Sequence, residues 1–150
     1  MRIRIEGSGL PGRSIAPGPG FPGYEDIQVA VQPKARGGKL LAPQPGDADS
    51  VAWTLDCTAR PGATGTELTG PWIQGRPGQR FVYLWWDGVD DTGARVMFRR
   101  AKLMLDAVDP AVLEAALAGG TLTARLTLTD LRGHPLCAAV RPPSVTWSAG

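Results

Sequence analysis

The sequence has few of the residues that most catalytic and metal sites need. It contains one histidine, His134, and two cysteines, Cys57 and Cys137, which are 80 positions apart. A catalytic triad needs a histidine base, and a histidine in a turn beside proline is usually solvated. A tetrahedral zinc site needs ligands in closely spaced pairs. The sequence therefore predicts no triad and no metal, and it indicates two reduced, buried thiols.

Long apolar runs and strong charge are also missing. No stretch approaches the length of a transmembrane helix, and the opening segment MRIRIEG has no apolar core of a signal peptide. We therefore expect a cytoplasmic protein with no membrane partner. The formal net charge is only +2, which argues against nucleic acid as a partner. Charged residues make up 20% of the chain, and this low share favours a partner protein or a homo-oligomer.

Glycine and proline, in contrast, are abundant, with 20 and 14 residues. They concentrate at 7–24, 32–49 and 60–79, which we interpret as long loops. Because 43% of the residues are hydrophobic, these loops should be ordered rather than disordered. The first loop begins with GSGLPG, which matches a dinucleotide-binding pattern. The prolines that follow prevent the helix that would hold the pyrophosphate, so we expect no nucleotide and no other cofactor.

Alternation of apolar and polar residues indicates strands between the loops, and it is clearest at 51–59 and 121–129. Asp109 and Pro110 are typical of a helix start and Gly119-Gly120 of a helix end, so we predict a helix at 110–118. The predicted strands are 2–6, 27–32, 51–59, 80–86, 95–106, 121–129, 136–140 and 145–147. The length is right for one domain spanning 1–150. The expected fold is mainly β: an antiparallel β-barrel or β-sandwich of seven to eight strands with one short helix and long Gly/Pro-rich loops.

The strand at 80–86 and its return strand at 95–106 hold the densest concentration of aromatic and cationic residues in the chain. The first is apolar on both faces, so we expect it to be covered on both sides. A turn rich in Asp and Gly joins the two at 87–93. A helix is the alternative for 97–106, because its residues are good helix formers. The nearly continuous alternation after a turn favours a strand, on which Arg100, Lys102 and Asp106 would share a face.

These two strands predict a ligand site. Arg99, Arg100 and Lys102 form the densest positive cluster, and guanidinium groups bind carboxylate or phosphate with two hydrogen bonds. Tyr83 and Trp85 on the adjoining strand would supply an aromatic wall. We therefore expect a domain that binds a small molecule, acidic or aromatic, through Tyr83, Trp85, Arg100 and Lys102. A solvated cationic strand face is the simpler interpretation of the same cluster.

Two other functions are compatible with the sequence. One is a cofactor-independent isomerase, cyclase or hydrolase of specialised metabolism that acts in an aromatic-lined barrel pocket. Its catalytic candidates are Asp56, Tyr83, Lys102 and Asp106, if they point inward. Both aspartates could instead lie on exposed faces, paired with cations. The other function is a protein–protein interaction module that uses exposed tryptophans.

The chain also resembles a family of uncharacterised bacterial proteins known only as a domain of unknown function. The likeness covers nearly the whole chain and is carried by RIRIEGSGLPGR, FPGYEDIQVAVQ, WTLDC, GPWIQGRPGQRFVYLWW, MFRRAKLML and LTLTDLRGHPLCAAVRPP. The family has no activity, cofactor or catalytic residue to carry over. The resemblance implies a single compact domain and an intracellular setting.

Overall fold

In a computed structural model, the chain is mainly β with one α-helix. The structure describes residues 1–8, 29–45, 50–89, 95–127 and 145–150, without the side chains of 86–89, 95–100 and 127. The strands are β1 (Arg2–Ser8), β2 (Val29–Gln32), β3 (Gln44–Pro45), β4 (Val51–Asp56), β5 (Thr58–Gly62), β6 (Gly65–Thr69), β7 (Phe81–Val89), β8 (Arg95–Met104), β9 (Thr121–Thr127) and β10 (Val145–Ala149). The helix α1 is Pro110–Gly119, and a 3₁₀ helix at Leu105–Ala107 precedes it.

The largest sheet has five strands in the order β10-β9-β1-β4-β3. Its central strand, β1, alternates as predicted: Ile3 and Ile5 are fully buried, and their neighbours along the strand are more exposed. In register they lie opposite Leu55 and Trp53 of β4, which are also buried. This alternation places one apolar face of the sheet in the core.

The sheet is mixed, which corrects the prediction of an antiparallel one. β1 pairs antiparallel with β4 but parallel with β9. The reason lies at the end of α1, where the Arg2 N–H donates a hydrogen bond to the Gly120 carbonyl at 2.9 Å. Because the helix ends beside the start of β1, β9 enters the sheet in the same direction as β1.

The second sheet has three antiparallel strands in the order β2-β7-β8. The strand prediction for 95–106 is confirmed up to Met104, and the alternative helix there is wrong. The last two residues form the 3₁₀ helix instead, so Asp106 does not share a strand face with Lys102. The turn predicted to start at 87 is also wrong in part, because β7 continues to Val89 through an irregularity after Trp86.

Among the described side chains of β7, those of 81–85, only one face is fully buried. Val82 and Leu84 are completely inaccessible, whereas Phe81, Tyr83 and Trp85 on the other face are half-buried. The expectation of complete cover on both faces is therefore wrong for this part of the strand. The buried face packs with Ala101 and Leu103 of β8 and with Val31 of β2.

A third, two-stranded sheet is the hairpin β5-β6, which the sequence predicted to be part of a loop at 60–79. The cause is a tight turn in which Gly62 pairs with Gly65, leaving two residues between the strands. Gly65 has φ of +132°, a value that favours glycine. The predicted strand 51–59 is accordingly divided at Cys57 into β4 and β5. The described residues form ten strands, more than the predicted seven to eight, because the sequence did not predict β3, β6 or the division of 51–59.

The helix confirms its predicted caps. The Asp109 side chain accepts a hydrogen bond from the Ala111 N–H at 2.8 Å, and Pro110 occupies the first helical position. Gly120 ends the helix in the left-handed conformation with φ of +82°. The predicted range 110–118 falls one residue short of the observed end.

One core joins the two larger sheets. Its buried cluster contains Ile3, Trp53 and Leu55 from the first sheet together with Val82 and Leu84 from the second. Among the described residues the sheets do not close into a barrel. The strand predicted at 136–140 and the histidine turn before it lie outside the described residues. No helix in the described part of the chain is long and apolar enough to cross a membrane.

Candidate functional site

The predicted aromatic and cationic residues lie on neighbouring strands of the second sheet, and Tyr83, Trp85 and Lys102 are half-buried there. Tyr83 lies opposite Lys102 in the β7–β8 register, and Trp85 lies opposite Arg100. The Trp85 indole N–H donates to the Gln32 side-chain oxygen on the neighbouring strand β2. The structure thus places the backbones of the four predicted ligand residues next to each other. The Arg100 side chain is outside the described side chains.

Lys102 is engaged with aromatic rings. Its ammonium nitrogen lies 4.5 Å from the centre of the Phe81 ring and 5.6 Å from that of Tyr83. The two rings pack edge to face, with centroids 4.6 Å apart and an interplanar angle of 71°. These distances are typical of cation–π contacts. Because the rings hold the ammonium group, Lys102 stabilises the β7–β8 pair through its own packing.

The catalytic candidates are not gathered around one point. The Asp56 side chain is 89% exposed at the end of β4, with its carboxylate 3.7 Å from Arg2 Nε. This is the exposed, cation-paired arrangement that the sequence allowed as the alternative to catalysis. Lys102 sits on the rings of Phe81 and Tyr83, whereas Asp106 lies beyond the strand in the 3₁₀ helix. Of the four candidates, Tyr83 and Lys102 are neighbours, and the two aspartates lie on other elements.

Asp106 instead lies on a groove with a volume of about 420 Å³. One wall is strand β6 with the hairpin tip, the second is the 75–80 loop, and the third is the 3₁₀ helix with the start of α1. Four apolar side chains form its floor: Leu68, Leu105, Val108 and Leu113. The first three are at most 7% exposed. Apolar clefts of this size are typical of sites for small ligands.

A half-buried ion pair forms part of the groove wall. Arg80 Nε lies 2.7 Å from Glu67 Oε1, and the two side chains are 17% and 22% exposed. Arg80 also donates from Nη1 to the Gly75 carbonyl. The pair ties β6 to the start of β7, and it gives the groove one polar side.

The 75–80 loop has a conformation that depends on glycine. Gly75 has φ of +85°, and a Cβ there would lie 2.2 Å from the Gln79 carbonyl oxygen. Gln74 and Phe81 close the loop by two reciprocal backbone hydrogen bonds of 2.8 and 3.0 Å. This tight loop places the Gly75 carbonyl where Arg80 reaches it. No other residue type fits position 75 without a backbone shift.

Asp106 is the free charge of the groove. The side chain is exposed, and among the described residues its carboxylate has neither a hydrogen bond nor an ion pair. Glu67, by contrast, is held by Arg80. The groove therefore combines an apolar floor, an internally neutralised ion pair and one unpaired carboxylate at its edge.

A second polar cluster lies on the outer face of the five-stranded sheet. Glu6 accepts from Arg4 Nε at 2.7 Å and from Arg125 Nε at 2.8 Å, and Arg125 also donates to the Ser148 hydroxyl at 2.9 Å. The hydrogen bond from Arg4 lowers the pKa of Glu6 below its usual 4.5, and Arg125 lowers it further. Since the one carboxylate of Glu6 binds guanidinium groups from β1 and β9, and Arg125 also reaches β10, we interpret this cluster as a link between strands.

Cys57 is a free thiol in the structure, as predicted, and it is 8% exposed. Burial raises the pKa of this thiol, and the neighbouring Asp56 charge raises it further. The thiol is therefore protonated at neutral pH and poorly reactive. Cys137 lies outside the described residues. In the part of the chain that is described, no three His, Cys, Asp or Glu side chains form a group able to hold a metal ion.

The sequence interpretation missed the groove because it treated 60–79 as one loop. The signal was present in RPGATGTELT, where two glycines flank a two-residue turn and polar residues stand on either side of Leu68. Asp106 was a candidate, but on the wrong element. No sequence pattern identified Glu67 and Arg80 as a pair, because they are 13 positions apart and come together only in the folded hairpin.

Comparison with known proteins yields one match. The model of a family of unknown function, DUF5990, matches residues 1–150. No curated protein and no solved structure matches the chain.

Proposed function

We propose that this chain, which belongs to the DUF5990 family, binds a small molecule in the groove between β6, the 75–80 loop and the 3₁₀ helix. The supporting observation is the groove itself: about 420 Å³ with an apolar floor and few polar groups. Such a floor suits a ligand with an aromatic or aliphatic body. The proposal retains the small-molecule function expected from the sequence and moves its site away from the aromatic strand.

The walls of the groove are suited to holding a ligand in one orientation. The Glu67–Arg80 pair makes one side polar and joins two walls through side chains that are less than a quarter exposed. Side chains that are already paired lose little conformational entropy when a ligand arrives. An apolar floor provides most of the binding free energy, while the polar side selects the orientation.

We also infer that the two larger sheets pack face to face as a sandwich. The shared core of Ile3, Trp53, Val82 and Leu84 supports this arrangement. In sandwich domains, binding residues are commonly carried by the connections between strands, and the groove is lined by a hairpin tip and a loop of this kind. A ligand bound there would not need an internal barrel cavity.

The proposal is tested by filling the groove. Thr66 is exposed, lines the groove and lies on the same side of β6 as Leu68. The substitution Thr66→Trp should therefore occupy the groove without disturbing the core. The matched control is Thr58→Trp, because Thr58 is also exposed on the hairpin but is not part of the groove lining.

Binding is measured first by native mass spectrometry of protein taken from its host and then by a fragment screen with NMR detection. Wild type and Thr58→Trp should bind the same compounds, and Thr66→Trp should lose them. If Thr66→Trp keeps every ligand that the wild type binds, the groove is not the site. If the wild type binds no compound in either experiment, the small-molecule function is rejected.

A further inference from the structure

The charges of the groove bear on the class of ligand that it would accept. An acidic ligand would need a free cation in the groove, and Arg80 is the only arginine or lysine among the described lining residues. That guanidinium is engaged by Glu67 at 2.7 Å and by the Gly75 carbonyl. A carboxylate ligand could reach only the remaining N–H groups of Arg80, whose charge Glu67 already neutralises, and it would be repelled by the Glu67 carboxylate beside it.

Asp106, unlike Arg80, carries a charge that no described protein group neutralises. Its carboxylate is at the groove edge and has no partner among the described residues. Counting formal charges, Asp106 and Glu67 against Arg80 leave the described groove with a net charge of −1. A cation placed beside Asp106 gains a charge-assisted hydrogen bond and displaces no protein group.

We infer that the ligand is an organic cation: an apolar body on the floor formed by Leu68, Leu105 and Val108, with a protonated nitrogen at Asp106. This inference rests on the proposed function and names its ligand class. It also replaces the acidic ligand expected from the sequence, because the cationic strand residues on which that expectation relied are not among the groove lining.

The test uses three probes that share one body and differ only in the head group: cyclohexylmethylamine, cyclohexylmethanol and cyclohexanecarboxylate. Their dissociation constants are measured from the NMR shifts of the Gly65 and Gly78 amides, which line the groove. The amine should bind about three- to tenfold more tightly than the alcohol, the scale of a solvent-exposed to half-buried charge contact. This advantage should shrink as salt is added.

The variant Asp106→Asn removes the charge and keeps the shape of the side chain. It should reduce binding of the amine to that of the alcohol and leave the alcohol unchanged. Asp56→Asn is the control, because Asp56 is an exposed aspartate outside the groove. It should bind all three probes as the wild type does.

The outcomes separate the two ideas. If the alcohol and the amine bind equally, or the carboxylate binds most tightly, the cation inference is overturned and the small-molecule function stands. An amine preference that survives in Asp106→Asn also overturns it, because Asp106 then does not recognise the nitrogen. If no probe binds, the proposed function and the inference fail together.

Discussion

At the scale of single residues, the Glu67–Arg80 pair is the contact on which the groove wall depends. Both side chains are less than a quarter exposed and their closest atoms are 2.7 Å apart. Arg80→Ala leaves a partly buried carboxylate without a partner, so we expect the free energy of unfolding to fall by about 2–3 kcal/mol. Urea denaturation measures the change. Arg76→Ala, which removes an exposed arginine of the same loop, should cost less than about 0.5 kcal/mol.

The double variant Arg80→Met/Glu67→Leu checks the mechanism of that loss. Replacing both partners removes the unpaired charge, so the double variant should be more stable than Arg80→Ala alone. If the double variant is as unstable as the sum of its single substitutions, the pair does not act as a unit and the explanation is wrong.

The lowered pKa of Glu6 should make the free energy of unfolding depend on pH. Its pKa in the folded protein lies below the usual 4.5, chiefly because of the hydrogen bond from Arg4. A lowered folded pKa contributes stability that is complete above 4.5 and is lost as pH falls through the folded pKa. Because the cluster is partly exposed, the contribution should be under about 1 kcal/mol.

The measurement compares wild type with Glu6→Gln by urea denaturation at several pH values. The wild type should be the more stable near neutral pH, and the difference should shrink below pH 4.5. Glu114→Gln, on the exposed side of α1, is the control and should show no such convergence. A difference that is independent of pH would mean that the Glu6 carboxylate is not stabilised by its arginines.

At the scale of elements, the start of α1 depends on one side chain. Asp109 Oδ1 accepts from the Ala111 N–H at 2.8 Å, while Pro110 has no N–H to satisfy. Asp109→Ala should lower the free energy of unfolding by about 1 kcal/mol, whereas Asp109→Asn should cost only a few tenths. Thermal denaturation followed by circular dichroism compares the two variants. Equal losses would show that the charge of Asp109, rather than its capping oxygen, stabilises the helix.

At the scale of the whole molecule, the shared core predicts cooperative unfolding. The buried cluster contains residues from both larger sheets and also Leu105, Val108 and Ala116 near the helix. Because no element has a core of its own among these residues, the sheets should lose structure together. Near-ultraviolet and far-ultraviolet circular dichroism should therefore give coincident urea transitions. Two separated transitions would mean that one sheet is stable without the other.

Some features of this protein follow from the sequence alone because their causes are local. The helix was predicted nearly to the residue, since a capping side chain, a proline and two glycines act within a few positions of one another. The alternation in β1, β4 and β9 identified the inward faces for the same reason: neighbours along a strand point to opposite sides. The mainly β fold class could therefore be predicted from patterns within single segments of the sequence.

Other features were decided only by the tertiary structure. Nothing near Ile3 or Leu122 in sequence specifies that their strands run parallel, because strand pairing depends on where α1 returns the chain. The groove draws residues from 62 to 113, so its volume exists only after the hairpin and the helix have packed. Glu67, Arg80 and Asp106 lack any shared motif. Contacts between distant segments depend on the packing of the whole core, and for that reason the sequence predicted most of the strands and the helix but not the groove between them.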